Sequence, residues 1–372
     1  MRQQSIFWFL IATFVWGLLF QRADAARRFL YVATPGIRNY LEYGGHGLLI
    51  FDIDDGHKFV KRIPTGGIDK NQQPINVKGI CASADTKLIH ISTKASLMCL
   101  NMLTDELLWE RQYDQGCDRM ALSPDGQILY QPSFERGQWY VLDAITGNEI
   151  KRITPNSRAH NTVFGSNGKW CYLAGLASPL LTVADASTHT ISHTVGPFSH
   201  NIRPFTVNGQ QTLAFVCINE CLGFEIGDLV TGKKLHRVEV PGFPRGPVKR
   251  HGCPSHGIGL TPDEKELWVC DAHNQQMHIF DLTVMPPSYT ASIACRDEPG
   301  WITFSNDGTL AYPSSGDVID VSSRKVVAQL TDEEGRAVGS EKMLEIDWDG
   351  NQPIRAGNQF GTGHVLTKEK SK

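Results

Sequence analysis

The chain has 372 residues, of which 41% are hydrophobic and 20% charged, with a formal net charge of −3. Those proportions belong to a globular protein with a substantial core, and the balanced charge excludes the basic surface that nucleic-acid binding requires. The 35 glycines and 19 prolines are spread along the chain and point to many tight turns.

In chain order, residues 1–25, "MRQQSIFWFLIATFVWGLLFQRADA", come first. Arg2 precedes an uncharged run from Ile6 to Phe20, and Ala23-Asp24-Ala25 follows, the layout of a signal peptide with an A-x-A cleavage site. The run falls short of the roughly 20 residues that span a bilayer, although an uncleaved anchor is the alternative. The expectation is an exported protein, periplasmic or extracellular, beginning at Ala26 and with no membrane span in the mature chain. Export permits disulfides, but nine cysteines cannot all pair within one chain. Cys171 and Cys270 sit in apolar strand patterns and read as small buried hydrophobes. A local Cys217–Cys221 bridge is left open by the sequence.

From Val77 onward one pattern recurs. The segments "VKGICASADTKLIHIST", "CDRMALSPDGQILYQPS", "AHNTVFGSNGKWCYLAG", "HNIRPFTVNGQQTLAFVCI", "SHGIGLTPDEKELWVCD" and "PGWITFSNDGTLAYPSS" each place an Asp or Asn turn between two apolar stretches. Their turn residues Asp85, Asp125, Asn167, Asn208, Asp263 and Asp307 are separated by 40, 42, 41, 55 and 44 residues. Asp-Gly and Asn-Gly between apolar runs signal hairpins, because glycine accepts the positive φ the turn demands. A third strand with a recurrent ending ("WYVLDAITGN", "MHIFDLT", "GDVIDVSSRK") and a fourth, amphipathic one follow. Four strands per 40–45 residues is the signature of a propeller blade.

Six such hairpins leave "RFLYVAT" near the N-terminus without a preceding partner and "SEKMLEIDWDGN" near the C-terminus with nothing after it. Pairing them makes a seventh blade and removes the open sheet edges. The expected architecture is all-β: a seven-bladed β-propeller over residues 26–350, with 351–372 as a C-terminal tail whose basic end from Thr367 frays.

"YVAT" at Tyr31–Thr34, "LSPDGQILYQPS" and "VLDAITGNEIKRI" resemble the YVTN-type (YncE-like) β-propeller repeat family. The resemblance covers nearly the whole chain after residue 25 and rests on many small motifs. It implies a seven-bladed propeller, often in an exported bacterial protein, and implies no particular activity.

In such a ring the first strand of each blade lines the channel. Seven residues before each turn lie equivalent positions: Lys78, Asp118, His160, Asn201, His256, Gly300 and, from the turn at Asp349, Lys342. Arg119, His200, Arg203 and Glu341 flank them, and His273 falls in a loop on the same face. The ligand-binding set expected at the mouth is Lys78, Asp118, Arg119, His160, His200, Arg203, His256, His273 and Glu341. The long inter-blade insertion "PGFPRGPVKRHGCPS" (241–255) would cap this mouth, and whether it folds over decides whether His251 joins. His278 reads as a packed core residue.

Three histidines from successive blades, His160, His200 and His256, form a candidate site for zinc, copper or iron, since neutral imidazole suits all three. Without metal the same groups offer a general base, with Arg119 or Arg203 stabilising an oxyanion. Three readings follow: a propeller binding a small molecule or partner protein at its mouth; an enzyme using that pocket, either a lactonase-like hydrolase or a metal-dependent oxidoreductase; and an interaction scaffold with an inert channel. Other motifs fail. "GDLVTGKK" has Lys234 where a P-loop needs Ser or Thr, and "DIDDGH" lacks the spacing of an EF-hand loop.

Overall fold

A computed structural model describes residues 26–365. Twenty-nine strands and two single-turn 3-10 helices make up the described residues, arranged as seven antiparallel sheets. Six sheets have four strands and one has five. The inner strands Val77–Ser83, Ala121–Leu122, Ala159–Phe164, Ile202–Val207, Ile258–Leu260, Ile302–Phe304 and Met343–Asp349 contact one another in that order, and the last meets the first. This is the seven-bladed propeller that the repeat implies. Ring closure is as expected: Arg27–Thr34 pairs with Met343–Asp349, with Val32 opposite Met343 and Phe29 opposite Ile346.

The turn residues do what their chemistry allows. Asp125, Asp263 and Asp307 each accept from a hydroxyl two residues earlier (Ser123, Thr261, Ser305) and from the backbone N–H two residues later. The following Gly126 and Gly308 have φ of 71° and 74°, which only glycine adopts without strain. At the end of the third strand Asp143, Asp185, Asp228, Asp281 and Asp320 accept backbone N–H groups of the next turn. The middle strands of each blade are almost wholly buried, whereas fourth strands such as Glu149–Ile153 turn most side chains outward. The core is therefore a series of apolar layers between neighbouring blades, for example Tyr31, Ile50, Ile80, Ile91, Met98 and Leu344.

The structure differs from the sequence reading after residue 350. Gln352–Ala356 forms a fifth strand on the channel side of Met343–Asp349. Residues 358–364 then cross the channel. Gln359 Oε1 accepts from the Ile80 N–H at 3.2 Å, and the Asn358 carbonyl accepts from Thr303 Oγ1 at 2.8 Å. The Gly361 carbonyl accepts from Thr206 Oγ1 and the Leu260 N–H at 2.7 and 2.8 Å, and the Trp301 indole N–H donates to the Gln359 carbonyl. Gln359 and Phe360 are buried. A domain boundary at 350 is thus displaced: the segment to His364 is an integral plug of one channel end. The physical reason is that inner strands leave unpaired backbone groups at a channel wall, and this segment satisfies them. The expected signal peptide and the chain from Thr367 lie outside the described residues.

Candidate functional site

Every inner strand begins at the channel end opposite the plug, so side chains just before or at these strand starts converge there. The insertion 241–255 folds over this end. Arg250 anchors it, donating to Glu298 Oε2 at 3.0 Å, to Asp297, and to the Tyr43 hydroxyl at 2.8 Å. Arg38 adds two donations to the Arg250 carbonyl at 3.0 and 2.7 Å. Beneath lies a cup of about 190 Å³ lined by Arg38, Asn76, Lys78, Lys94, Arg119, Phe134, His160, Arg203, His251, His256, Glu341 and Lys342, among others.

Two ion clusters form its floor. Arg119 is buried and fully engaged: Nη2 donates to Glu341 Oε2 at 2.7 Å, Nη1 to Asn161 Oδ1 at 3.1 Å and Nε to the Lys78 carbonyl at 3.2 Å, while the guanidinium stacks 3.7 Å from the Trp301 ring centroid. Lys342 Nζ donates to the same Glu341 oxygen at 2.8 Å and to the Gly36 carbonyl at 2.8 Å. Burial opposes ionisation of Glu341, but Lys342, the His251 hydrogen bond and Arg119 hold it well below the usual carboxylate range. Burial pulls Lys342 down to about 7, against the attraction of Glu341. In the second cluster His160 Nδ1 lies 2.8 Å from Asp118 Oδ2, and Lys78 Nζ lies 3.2 Å from Asp118 Oδ1. Burial works to raise Asp118; the contacts with His160, Lys78 and Arg119 outweigh it and hold the carboxyl at about 2. His160 is lowered, chiefly by burial.

An ionised carboxylate only accepts, so the His160 proton sits on Nδ1 and the lone pair on Nε2. The same logic applies to the other imidazoles. His251 Nδ1 lies 3.0 Å from Glu341 Oε1, and its Nε2 is buried without a partner. His256 Nδ1 donates to the Gly300 carbonyl at 3.1 Å, and burial drives its pKa well below the ordinary value. The His251 and His256 rings stack at 5.3 Å. Gly300 makes this possible, since a Cβ there would lie 2.0 Å from His251 Cε1.

Of the expected site residues, Lys78, Arg119, His160, Arg203, His256 and Glu341 line the cup, with Asp118 buried behind His160. His200 is exposed and is not among the lining residues, and His273 is exposed and packs against Gly246 of the insertion. The trio His160, His200 and His256 is therefore not assembled. Among the described residues the group within metal-coordinating reach is instead His251, His256 and Glu341, whose ligand atoms lie within 4.8 Å of one another. A divalent cation there would compete with the Arg119 and Lys342 charges already on Glu341, which favours an anionic over a cationic guest. His251 was dependent on where the insertion folds, which spacing does not reveal. Lys342 is one of the counted strand-start positions, whereas Lys94 and Asn76 carry a weaker signal: Asn76 lies two residues before Lys78, and Lys94 follows the "HIST" strand at the same face. His278 is buried, bonded to Asp271 and Ser292, as a packed residue. All nine cysteines are buried and unbridged.

A second cavity of about 390 Å³ lies at the plugged end, between the strand ends Ser83 and Ser123 and residues 354–364. His364 is the sole imidazole in its lining, and burial pulls that group down. The convergent chemistry is at the mouth.

Fold and site define an all-β, seven-bladed propeller with a partly roofed polar cup at one end of its channel. No family model matches the sequence, and no curated protein is similar to it. Among solved structures the chain is similar to Kuenenia stuttgartiensis hydrazine synthase, at 15% identity and a TM-score of 0.58 over 76% of this chain and 95% of that one. It is also similar to dihydro-heme d1 dehydrogenase NirN in complex with DHE, at 14% identity and a TM-score of 0.62 over 89% of this chain and 73% of that one. At these identities the likeness shows the fold alone.

Proposed function

We propose that this protein is an exported member of the YVTN-type propellers that binds a small molecule in the cup at its channel mouth. The observation that carries this reading is the cup itself: about 190 Å³, roofed by the insertion and floored by buried ion clusters. Burying Arg119, Asp118, Glu341 and Lys342 together stabilises a fold less than apolar residues of similar size would. Their convergence on one concavity is the expected arrangement for a ligand site. The NirN structure, solved in complex with DHE, is in keeping with a propeller that holds a small molecule.

The test is thermal unfolding of the protein with a panel of neutral and charged small molecules, beside an Arg203→Ala variant. Ligands of the cup raise Tm in proportion to occupancy and lose that effect in the variant. Equal stabilisation of both proteins by every active compound would contradict the assignment.

One observation favours a second reading, an enzyme using the same pocket. Asp118 and His160 form a carboxylate–imidazole pair with Nε2 left as a base, the arrangement that general-base hydrolysis of a lactone or ester needs. Arg203 or Lys78 would stabilise the oxyanion. Hydrolysis of simple lactones that is abolished in His160→Gln would establish it.

A further inference from the structure

The cup carries more positive charge than its own carboxylates balance. Arg119 and Lys342 are paired with Glu341, Lys78 with Asp118, and Arg250 with Asp297 and Glu298. Glu135, a lining carboxylate, is taken by Arg158. Arg38, Lys94 and Arg203 remain, and none has a carboxylate within ion-pair distance among the described residues. Arg38 is held by a neutral carbonyl and Arg203 by a neutral amide, with Arg203 Nε donating to Asn219 Oδ1 at 2.6 Å. Among the described residues the Arg203 Nη nitrogens have no protein acceptor, and Nη1 reaches under the insertion where a Cβ on Gly252 would lie only 2.9 Å away. Lys78 and Lys94 both sit 5.5 Å from the Phe134 ring centroid. Lys94 is accordingly pushed down, by burial first and then by Lys78 and Arg38.

Like charges crowded into a concave site are unfavourable unless a guest of opposite sign neutralises them. Arginine forks suit the planar geometry of a carboxylate. Acceptors without donors lie among the same lining residues, His251 Nε2 being one of them. Asn76, 6% exposed, has a buried Oδ1 with no partner, and His160 keeps its Nε2 lone pair. An unmet buried acceptor is costly, and a guest hydroxyl answers it. Building on the small-molecule reading above, we infer that the guest is a small hydroxy acid, its carboxylate held by Arg203, Lys94 and Arg38 and its hydroxyl donated to His160 or Asn76.

Isothermal titration calorimetry of the intact protein with glycolate, lactate, malate and gluconate tests this, with sorbitol as the uncharged counterpart and inorganic phosphate as the alternative oxyanion. The expected result is binding of at least one hydroxy acid, none of sorbitol, and weakening by about tenfold or more in Arg203→Gln. Lys94→Gln, a surface change that leaves folding intact, weakens it several-fold. Binding also falls as sodium chloride rises. Sorbitol binding as tightly as gluconate would overturn the charge assignment and leave the small-molecule reading standing. Phosphate binding with every hydroxy acid silent would overturn the hydroxy acid as guest. Silence of the whole set in a folded protein, with neutral compounds from the thermal panel active at the cup, overturns this inference alone. Silence of both sets overturns both.

Discussion

The two ends of the channel are built from the same seven strands and finished in opposite ways. At the plugged end, strand backbone and small hydroxyls bond to residues 358–364, and Phe360 packs against Trp301 with ring centroids 6.1 Å apart. At the mouth the strand starts bring buried charges and three imidazoles together under a cap anchored by Arg250. A plug made of backbone pairing and an aromatic anchor is a stability element. A cup holding cations without counter-ions and acceptors without donors is not optimised for stability, and proteins tolerate such arrangements where function needs them.

Substitutions at the two ends separate these roles. The largest effect is expected for Arg119→Ala, which strips Glu341 of a buried partner and vacates the face of Trp301. Breaking a buried pair from one side costs about 3–5 kcal/mol, measurable by urea unfolding, and ligand binding is lost with it. Phe360→Ala, at the plug, is expected to cost about 3 kcal/mol while leaving affinity at the cup unchanged; a loss of affinity there would show that the two ends are coupled. Gly300→Ala displaces His251 from its place beside Glu341, so the expected outcome is a modest stability loss of about 1–3 kcal/mol from overpacking with a disproportionate fall in ligand affinity. The smallest effect is Arg38→Gln, within about 0.5 kcal/mol of the parent in stability yet measurable in the salt dependence of binding.

Two buried histidines outside the cup contribute to the pH dependence of stability. His57 and His90 are each pulled down to about 4, with burial the main cause. Between that value and 6.5 the unfolded chain binds protons that the folded one refuses. Their stabilising neutral forms are fully present above 6.5, and stability is lost as pH falls from 6.5 towards 4, by up to about 1.4 kcal/mol per unit for each group. Urea unfolding of His90→Gln across that window is expected to show a shallower slope than the parent.

The fold was legible because each blade repeats a chemical necessity. An Asp or Asn turn between two apolar strands, often with Gly in it, recurs from blade to blade, and "RFLYVAT" lacked a partner that "SEKMLEIDWDGN" supplied. The plug was illegible because "AGNQFGTGHV" has no strand alternation. Its order comes from strangers far away in sequence: Ile80, Thr206, Leu260 and Thr303. At the mouth, positions fixed by the strand count (Lys78, Asp118, His160, His256 and Lys342) landed together. His200 did not, since it sits in the bend before its strand, where the chain runs outward and the side chain is exposed. His251 joined through the fold of an insertion that follows no repeat. The excess of cations was hidden for a different reason, because which carboxylate neutralises which base is decided only in three dimensions.

The most direct test of the central claim is a crystal structure of the protein grown in gluconate. The account predicts density for the guest inside the cup, with its carboxylate at Arg203 and a hydroxyl within hydrogen-bond distance of His160 Nε2 or Asn76 Oδ1. Density confined to the cavity beside residues 354–364, with the cup holding only solvent, would contradict it.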